Sequence, residues 1–161
     1  MSKINKQRMT AGIEGEFVVF IIGMRINKLW KLHKWIPVAA AMPKMLKELM
    51  SKPELGLLGF QNLGGIPPVM IQYWRSFEQL EAYAKNKDAA HLPAWKEFNK
   101  KISGNGVVGI WHETYLIKEG NYENVYVNMP VFGMGKAGKS FPVTGKFESA
   151  GARIKNKISN L

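Results

Sequence analysis

Three features of this sequence predict an α+β domain with the ferredoxin-like order βαββαβ and an additional C-terminal strand. Short β-branched and aromatic runs alternate with longer stretches at helical spacing. Glycine-bearing breaks such as Gly64-Gly65-Ile66-Pro67 and Gly104-Asn105-Gly106 separate them. The segments follow one another as strand, helix, strand, strand, helix, strand, the split βαβ pattern.

Each element has its own signal. Residues 1–15 are polar and glycine-bearing and read as a loose arm. Glu16 to Ile26 carries Phe17, Val18, Val19, Phe20, Ile21 and Ile22, a β-branched and aromatic run that reads as a central strand. Lys34 to Met50 reads as a helix, with Met42, Met45, Leu46 and Leu49 on one apolar face. Pro37 suits its first turn, whereas Pro43 should bend the helix or mark its true start. Leu57 to Leu63 and Pro68 to Arg75 read as two strands of a hairpin. Ser76 and Gln79 can form a capping box opening the next helix. That helix weakens near Asn86-Lys87-Asp88 and restarts at Pro93, with Trp95, Phe98 and Ile102 on one side. Val107 to Lys118 is a strand: Ile110, His112, Thr114 and Leu116 share one face, and Trp111, Glu113, Tyr115 and Ile117 the other. Glu119-Gly120-Asn121 turns the chain into a further strand, Tyr122 to Met129.

Helices on one face of such a sheet leave the other needing cover. Both alternating sets in these strands are apolar, so a homodimer with its sheets face to face, a dimeric αβ barrel, is expected. The whole chain, 1–161, is expected to form one domain, with a core of about 15–130 and a basic, glycine-rich extension over 131–161.

Composition narrows the chemistry. Apolar residues make up 46% and charged residues 22%, a globular balance. The absence of cysteine excludes disulfides, thiolate zinc sites, iron–sulfur clusters and cysteine nucleophiles. The net charge of +11 is spread along the chain, with basic ends at Lys3, Lys6 and Arg8 and at Arg153, Lys155 and Lys157; specific nucleic-acid binding is not expected. The longest apolar run, Phe17 to Met24, is far short of the roughly 20 residues of a spanning helix. With no signal-peptide core near the N-terminus, a cytoplasmic location is expected.

Gly133-Met134-Gly135-Lys136-Ala137-Gly138-Lys139-Ser140 spells the phosphate-loop pattern G-x-x-x-x-G-K-[ST] after a strand. The helix that should follow Lys139 is missing, because Phe141-Pro142-Val143-Thr144-Gly145 comes instead. A lysine-rich glycine loop is the expected reading, not a nucleotide phosphatase.

Tyr126-Val127-Asn128-Met129-Pro130, then Phe132-Gly133-Met134-Gly135, with Trp111-His112-Glu113-Thr114-Tyr115 upstream, resembles an uncharacterised bacterial monooxygenase-like family of the dimeric αβ-barrel superfamily. The resemblance implies that fold, which hosts cofactor-free monooxygenases, haem enzymes and plain ligand binders. More locally, Tyr73-Trp74-Arg75-Ser76-Phe77 and Leu80-Glu81-Ala82-Tyr83-Ala84, followed by His91, Trp95 and Phe98, is similar to a stretch of the haem-containing aldoxime dehydratases. That resemblance implies His91 as the proximal ligand of a haem iron; Tyr73, Trp74, Trp95 and Phe98 either line a flat apolar pocket that binds the cofactor or belong simply to the core. Where that family often has a second histidine before the ligand, this chain has Asp88-Ala89-Ala90.

Of the three histidines, His33 lies among Lys28, Lys31 and Lys34 and reads as surface. His91 is either a haem ligand or a loop histidine. His112 should look inward, as a hydrogen-bonded core ring or a pocket acid–base group. Arg75 ends a strand, where it can anchor a carboxylate or haem propionate, or pair with Glu78 or Glu81. Two function classes follow. The first is a small-molecule enzyme on an apolar substrate: a haem-dependent oxidoreductase or dehydratase on His91, or a cofactor-free monooxygenase using His112, with Arg75 as the second catalytic candidate. The second is a non-catalytic ligand-binding or stress-associated module.

Overall fold

The computed structural model describes residues 3–101 and 104–156. Its main sheet has four antiparallel strands in the order β3-β4-β2-β5. These are β2 (Phe17–Ile26), β3 (Leu57–Gly64), β4 (Val69–Trp74) and β5 (Val108–Ile117). Helix α1 (Leu32–Ser51) joins β2 to β3; α2 (Phe77–Lys85) and α3 (His91–Lys101) join β4 to β5. The second and first strands of the motif thus flank the third, and the fourth lies beside the first: the ferredoxin-like arrangement expected from the element order.

The periodicity of β2 sorts the two faces. Val18, Phe20 and Ile22 look toward the helices, opposite Trp74, Gln72 and Met70 on β4. Val18 and Trp74 pack there with Leu49 of α1 and with Leu80 and Tyr83 of α2. Val107 and Val108 form a second helix-side cluster with Met24, Trp35, Val38 and Phe98. Glu48 ties the layer together: its Oε2 accepts hydrogen bonds from the Tyr83 hydroxyl (3.0 Å) and the Ala90 amide (2.9 Å).

The opposite face is covered in part by the chain itself. Phe17 and Tyr73 pack against Ala11, Ile13 and Met134, with Tyr122 and Tyr126 around them. The residues read as a loose arm contain a strand, β1 (Met9–Gly12). It pairs antiparallel with β6 (Lys139–Pro142) in a separate two-stranded sheet. The added C-terminal strand is therefore β6 rather than Tyr122–Met129, which makes only isolated bridges, Tyr126 with Met9 and Met129 with Asn5. The reason is that side chains take the ladder positions along the other edge of β1. Asn124 Oδ1 accepts from the Ala11 amide and its Nδ2 donates to the Ala11 carbonyl, both at 2.8 Å. The Tyr122 hydroxyl serves the Ile13 amide and carbonyl, each at 3.0 Å.

The phosphate-loop spelling has no phosphate-loop geometry. Met134–Ala137 is a four-residue helix, α4, lying before the lysine instead of after it. Lys139 and Ser140 sit in β6, opposite Gly12 and Ala11. Gly138 is needed for close approach, since a Cβ there would lie 2.1 Å from the Gly12 carbonyl oxygen. Pro43 also departs from expectation: α1 runs through Pro37 and Pro43 from Leu32 to Ser51, and both rings lie on its exposed side. Ser76 caps α2 by accepting from the Gln79 amide at 3.2 Å, but the Gln79 side chain donates to the Glu54 carbonyl, so the reciprocal half of the box is absent. Ile102 lies outside the described residues. The last element among the described residues is α5 (Ala150–Lys155), whose Arg153 is ion-paired with Glu123. Among the described residues, no helix is long and apolar enough to cross a membrane.

Candidate functional site

The helix-facing row of β5 runs Val108, Ile110, His112, Thr114, Leu116, paired with Ile26, Met24, Ile22, Phe20 and Val18 of β2. Its first part is roofed by α1 and α3 through the cluster around Val108. Further along the roof ends: His112, Thr114 and Leu116 are exposed, while Phe20 and Ile22 behind them are half-buried. The His112 ring was expected to face the core. It does lie on the helix side, but β5 is an edge strand, so the ring reaches solvent. It packs over Phe20 at 5.3 Å between ring centroids. The result is an apolar shelf carrying one imidazole.

Gln72 stands on β4 opposite Phe20 and is 4% exposed. Its Oε1 accepts from the Trp74 indole N–H at 2.9 Å. Its Nε2 donates to the thioethers of Met42 and Met70, at 3.9 and 3.7 Å, which are weak acceptors. Sequence reading passed over this residue, although a lone amide inside Val69-Met70-Ile71-Gln72-Tyr73-Trp74 is the kind of buried polar group that marks a specific role.

Residues 17–134 match the sequence model of the monooxygenase af470-like family. The chain belongs to that family. It is also 31% identical over 126 residues to monooxygenase af470 of Aspergillus fumigatus, an alignment that covers 71% of this chain and 44% of the relative. The chain thus corresponds to less than half of that fungal protein's length. Among solved structures it is similar to SnoaB, a cofactor-independent oxygenase from Streptomyces nogalater (TM-score 0.45, 10% identity, 65% of this chain and 95% of that one). It is likewise similar to the hydroxynitrile lyase of Passiflora edulis (TM-score 0.45, 15% identity, 65% and 96%).

In this monooxygenase af470-like chain the remaining candidate residues are dispersed. Arg75 lies past the end of β4 beside the opposite face, and its Nη1 donates to the Glu14 carbonyl at 2.8 Å. Val18 pairs with Trp74 and Ile22 with His112, so Arg75 and His112 stand more than four residues apart along β2. At about 3.3 Å per residue they do not meet in one site.

His91 opens α3, with Nδ1 3.0 Å from the Ala84 carbonyl oxygen, the partner that fixes the other ring nitrogen in many metal-ligating histidines. The rest of the haem set does not fit. Trp74 is 1% exposed and faces no open slot. Tyr83 fills the space between it and His91, with ring centroids 5.9 Å from Trp74 and 6.2 Å from His91. Trp95 and Phe98 stack on each other at 5.4 Å along α3. These four side chains do not frame a flat slot for a macrocycle. Among the described residues, no group of three or more His, Asp or Glu is placed to hold a metal ion.

The opposite face of β5 has its own polar pair, also passed over in the sequence. The Tyr115 hydroxyl donates to Glu113 at 2.5 Å, and this bond holds the phenol above its ordinary pKa. Trp111 lies over Gly23, where a Cβ would fall 2.4 Å from the indole nitrogen. Burial, with Tyr126 nearby, pushes Tyr73 up to about 12, so it stays a neutral phenol at physiological pH.

Proposed function

We propose that this chain is a cofactor-free monooxygenase acting on an apolar substrate with an acidic C–H or phenolic group, held on the β5 shelf. The observation that carries the reading is the placement of His112. It is the sole ionisable side chain in the helix-facing row of β5, and it sits on an open apolar surface beside Phe20. Family membership supports oxygenation as the chemistry.

His112 takes a proton from the substrate, and the resulting carbanion transfers electrons to O2. For an activated methylene the balance is CH2 + O2 → C=O + H2O: the substrate gives four electrons and no external reductant enters. A neutral imidazole suits the proton transfer. Phe20, Ile22 and Leu116 supply the apolar bed. Two copies facing across the partly covered side of the sheet complete the assembly, and the cysteine-free chain suits the cytoplasm.

The test is oxygen consumption by the purified protein with a polyphenolic aromatic substrate and no added flavin, metal or haem. His112→Ala is expected to slow turnover by roughly 10²-fold, the usual contribution of a general base. Consumption that is absent, or unchanged in the variant, removes His112 and with it the reading. A parallel arm adds hemin as a control on His91, whose Nδ1 meets the Ala84 carbonyl although the side chains around it frame no slot. A Soret band that His91→Ala abolishes, with oxygen chemistry appearing only then, replaces the cofactor-free mechanism.

A further inference from the structure

We infer that one end of the sheet is a docking surface for an anionic phospholipid membrane. The register brings three connections together there. The β3–β4 hairpin meets the end of β2, where the Met24 amide donates to the Pro68 carbonyl at 3.1 Å. The segment leading into β5 meets the segment leading into α1, where the Asn27 amide donates to the Val107 carbonyl at 2.9 Å. Lys28 Nζ reaches the Asn105 carbonyl at 3.5 Å.

Large apolar side chains project from this end. Trp30 is 74% exposed, Ile66 87% and Leu29 58%, and Leu32 and Leu63 are also exposed. The loop that carries Leu29 and Trp30 is held in place, because the Trp35 indole donates to the Leu29 carbonyl at 3.0 Å. Scattered exposed apolar residues need no explanation, but a concentrated set does.

Charge is segregated in the same place. Arg25, Lys28, Lys31 and Lys34 surround the apolar tip. No Asp or Glu occurs in residues 24–34, 62–69 or 104–109, which meet at this end. An exposed tryptophan and leucines ringed by lysines match the boundary between acyl chains and anionic headgroups. A second copy is the poorer occupant: a two-fold contact here sets cation against cation. The inference does not depend on the reaction proposed above.

The experiment is sedimentation of the full chain with phosphatidylcholine vesicles, with and without phosphatidylserine. Binding is expected to require phosphatidylserine and to weaken with salt. Trp30→Ser is expected to lower partitioning roughly tenfold, and Lys31→Gln or Lys34→Gln roughly fivefold each. Met50→Ser removes an exposed apolar side chain at the other end of α1 and leaves binding unchanged. The inference is overturned if the protein stays in the supernatant, or if Trp30→Ser and Met50→Ser reduce binding equally. Self-association that Trp30→Ser abolishes, without vesicle binding, assigns the surface to a second copy and overturns it too.

Discussion

Glu48 joins three helices with one carboxylate. It sits on α1 and takes hydrogen bonds from Tyr83 of α2 and from Ala90, the residue before α3. Those donors, the Ala90 amide first, hold its carboxyl below the usual range. The linkage has a definite sign. A depressed carboxylate contributes stability above its unfolded pKa, about 4.3, and loses it as pH falls through the folded value. Urea midpoints measured from neutral to acid pH should therefore fall more steeply in the native protein than in Glu48→Gln, with the two curves converging at the acid end. At this scale the sequence was only partly legible. The parity of β5 put His112 on the helix side, but whether that side is roofed depends on where α1 and α3 end. Glu48 owes its role to partners 35 and 42 residues away, and Gln72 reaches Met42 30 residues away besides its strand neighbours, which no local pattern announces.

Strand β1 shows how an element forms against its local signal. Met9-Thr10-Ala11-Gly12 has little strand propensity. It becomes a strand because β6 supplies one edge and the side chains of Asn124 and Tyr122 supply the other. Asn124→Ala leaves the buried Ala11 amide and carbonyl without those partners, at a cost of about 3 kcal/mol. Chemical denaturation should show that loss, whereas Asn121→Ala, in an exposed turn, should change little. The same pairing explains why the phosphate-loop spelling misleads: its lysine and serine belong to a ladder, and the glycine before them lets two backbones touch. The β-branched run of β2 and the periodic apolar face of α1 were legible because their burial follows their own period. Residues 122–129 share that composition, yet Tyr122 and Asn124 reach β1 through their side chains, and Tyr126 and Met129 make only isolated backbone bridges.

For the whole molecule, the order of elements was enough to specify the four-stranded topology, because short antiparallel connections leave few alternatives. The cover on the second face was not legible, since it is assembled from both ends of the chain. That cover is lopsided. It lies over Phe17 and Tyr73, while Trp111 and Tyr115 of β5 stay exposed. A face-to-face partner must therefore seat toward β5. Sedimentation equilibrium should give twice the chain mass, and Tyr115→Lys should shift the protein toward monomer. A native protein that remains monomeric at all concentrations defeats the face-to-face assembly.

The pairing of β1 with β6 also has a consequence in time. It joins positions some 130 residues apart, whereas every strand of the main sheet lies within residues 17–117. Closing so long a loop is the slowest contact in entropic terms, and β6 is synthesised after every strand of the main sheet. The sheet can thus be complete while Phe17 and Tyr73 are still bare. During synthesis the nascent chain passes through a stage in which its own β6 segment, not yet made, and a neighbouring chain compete for the same surface.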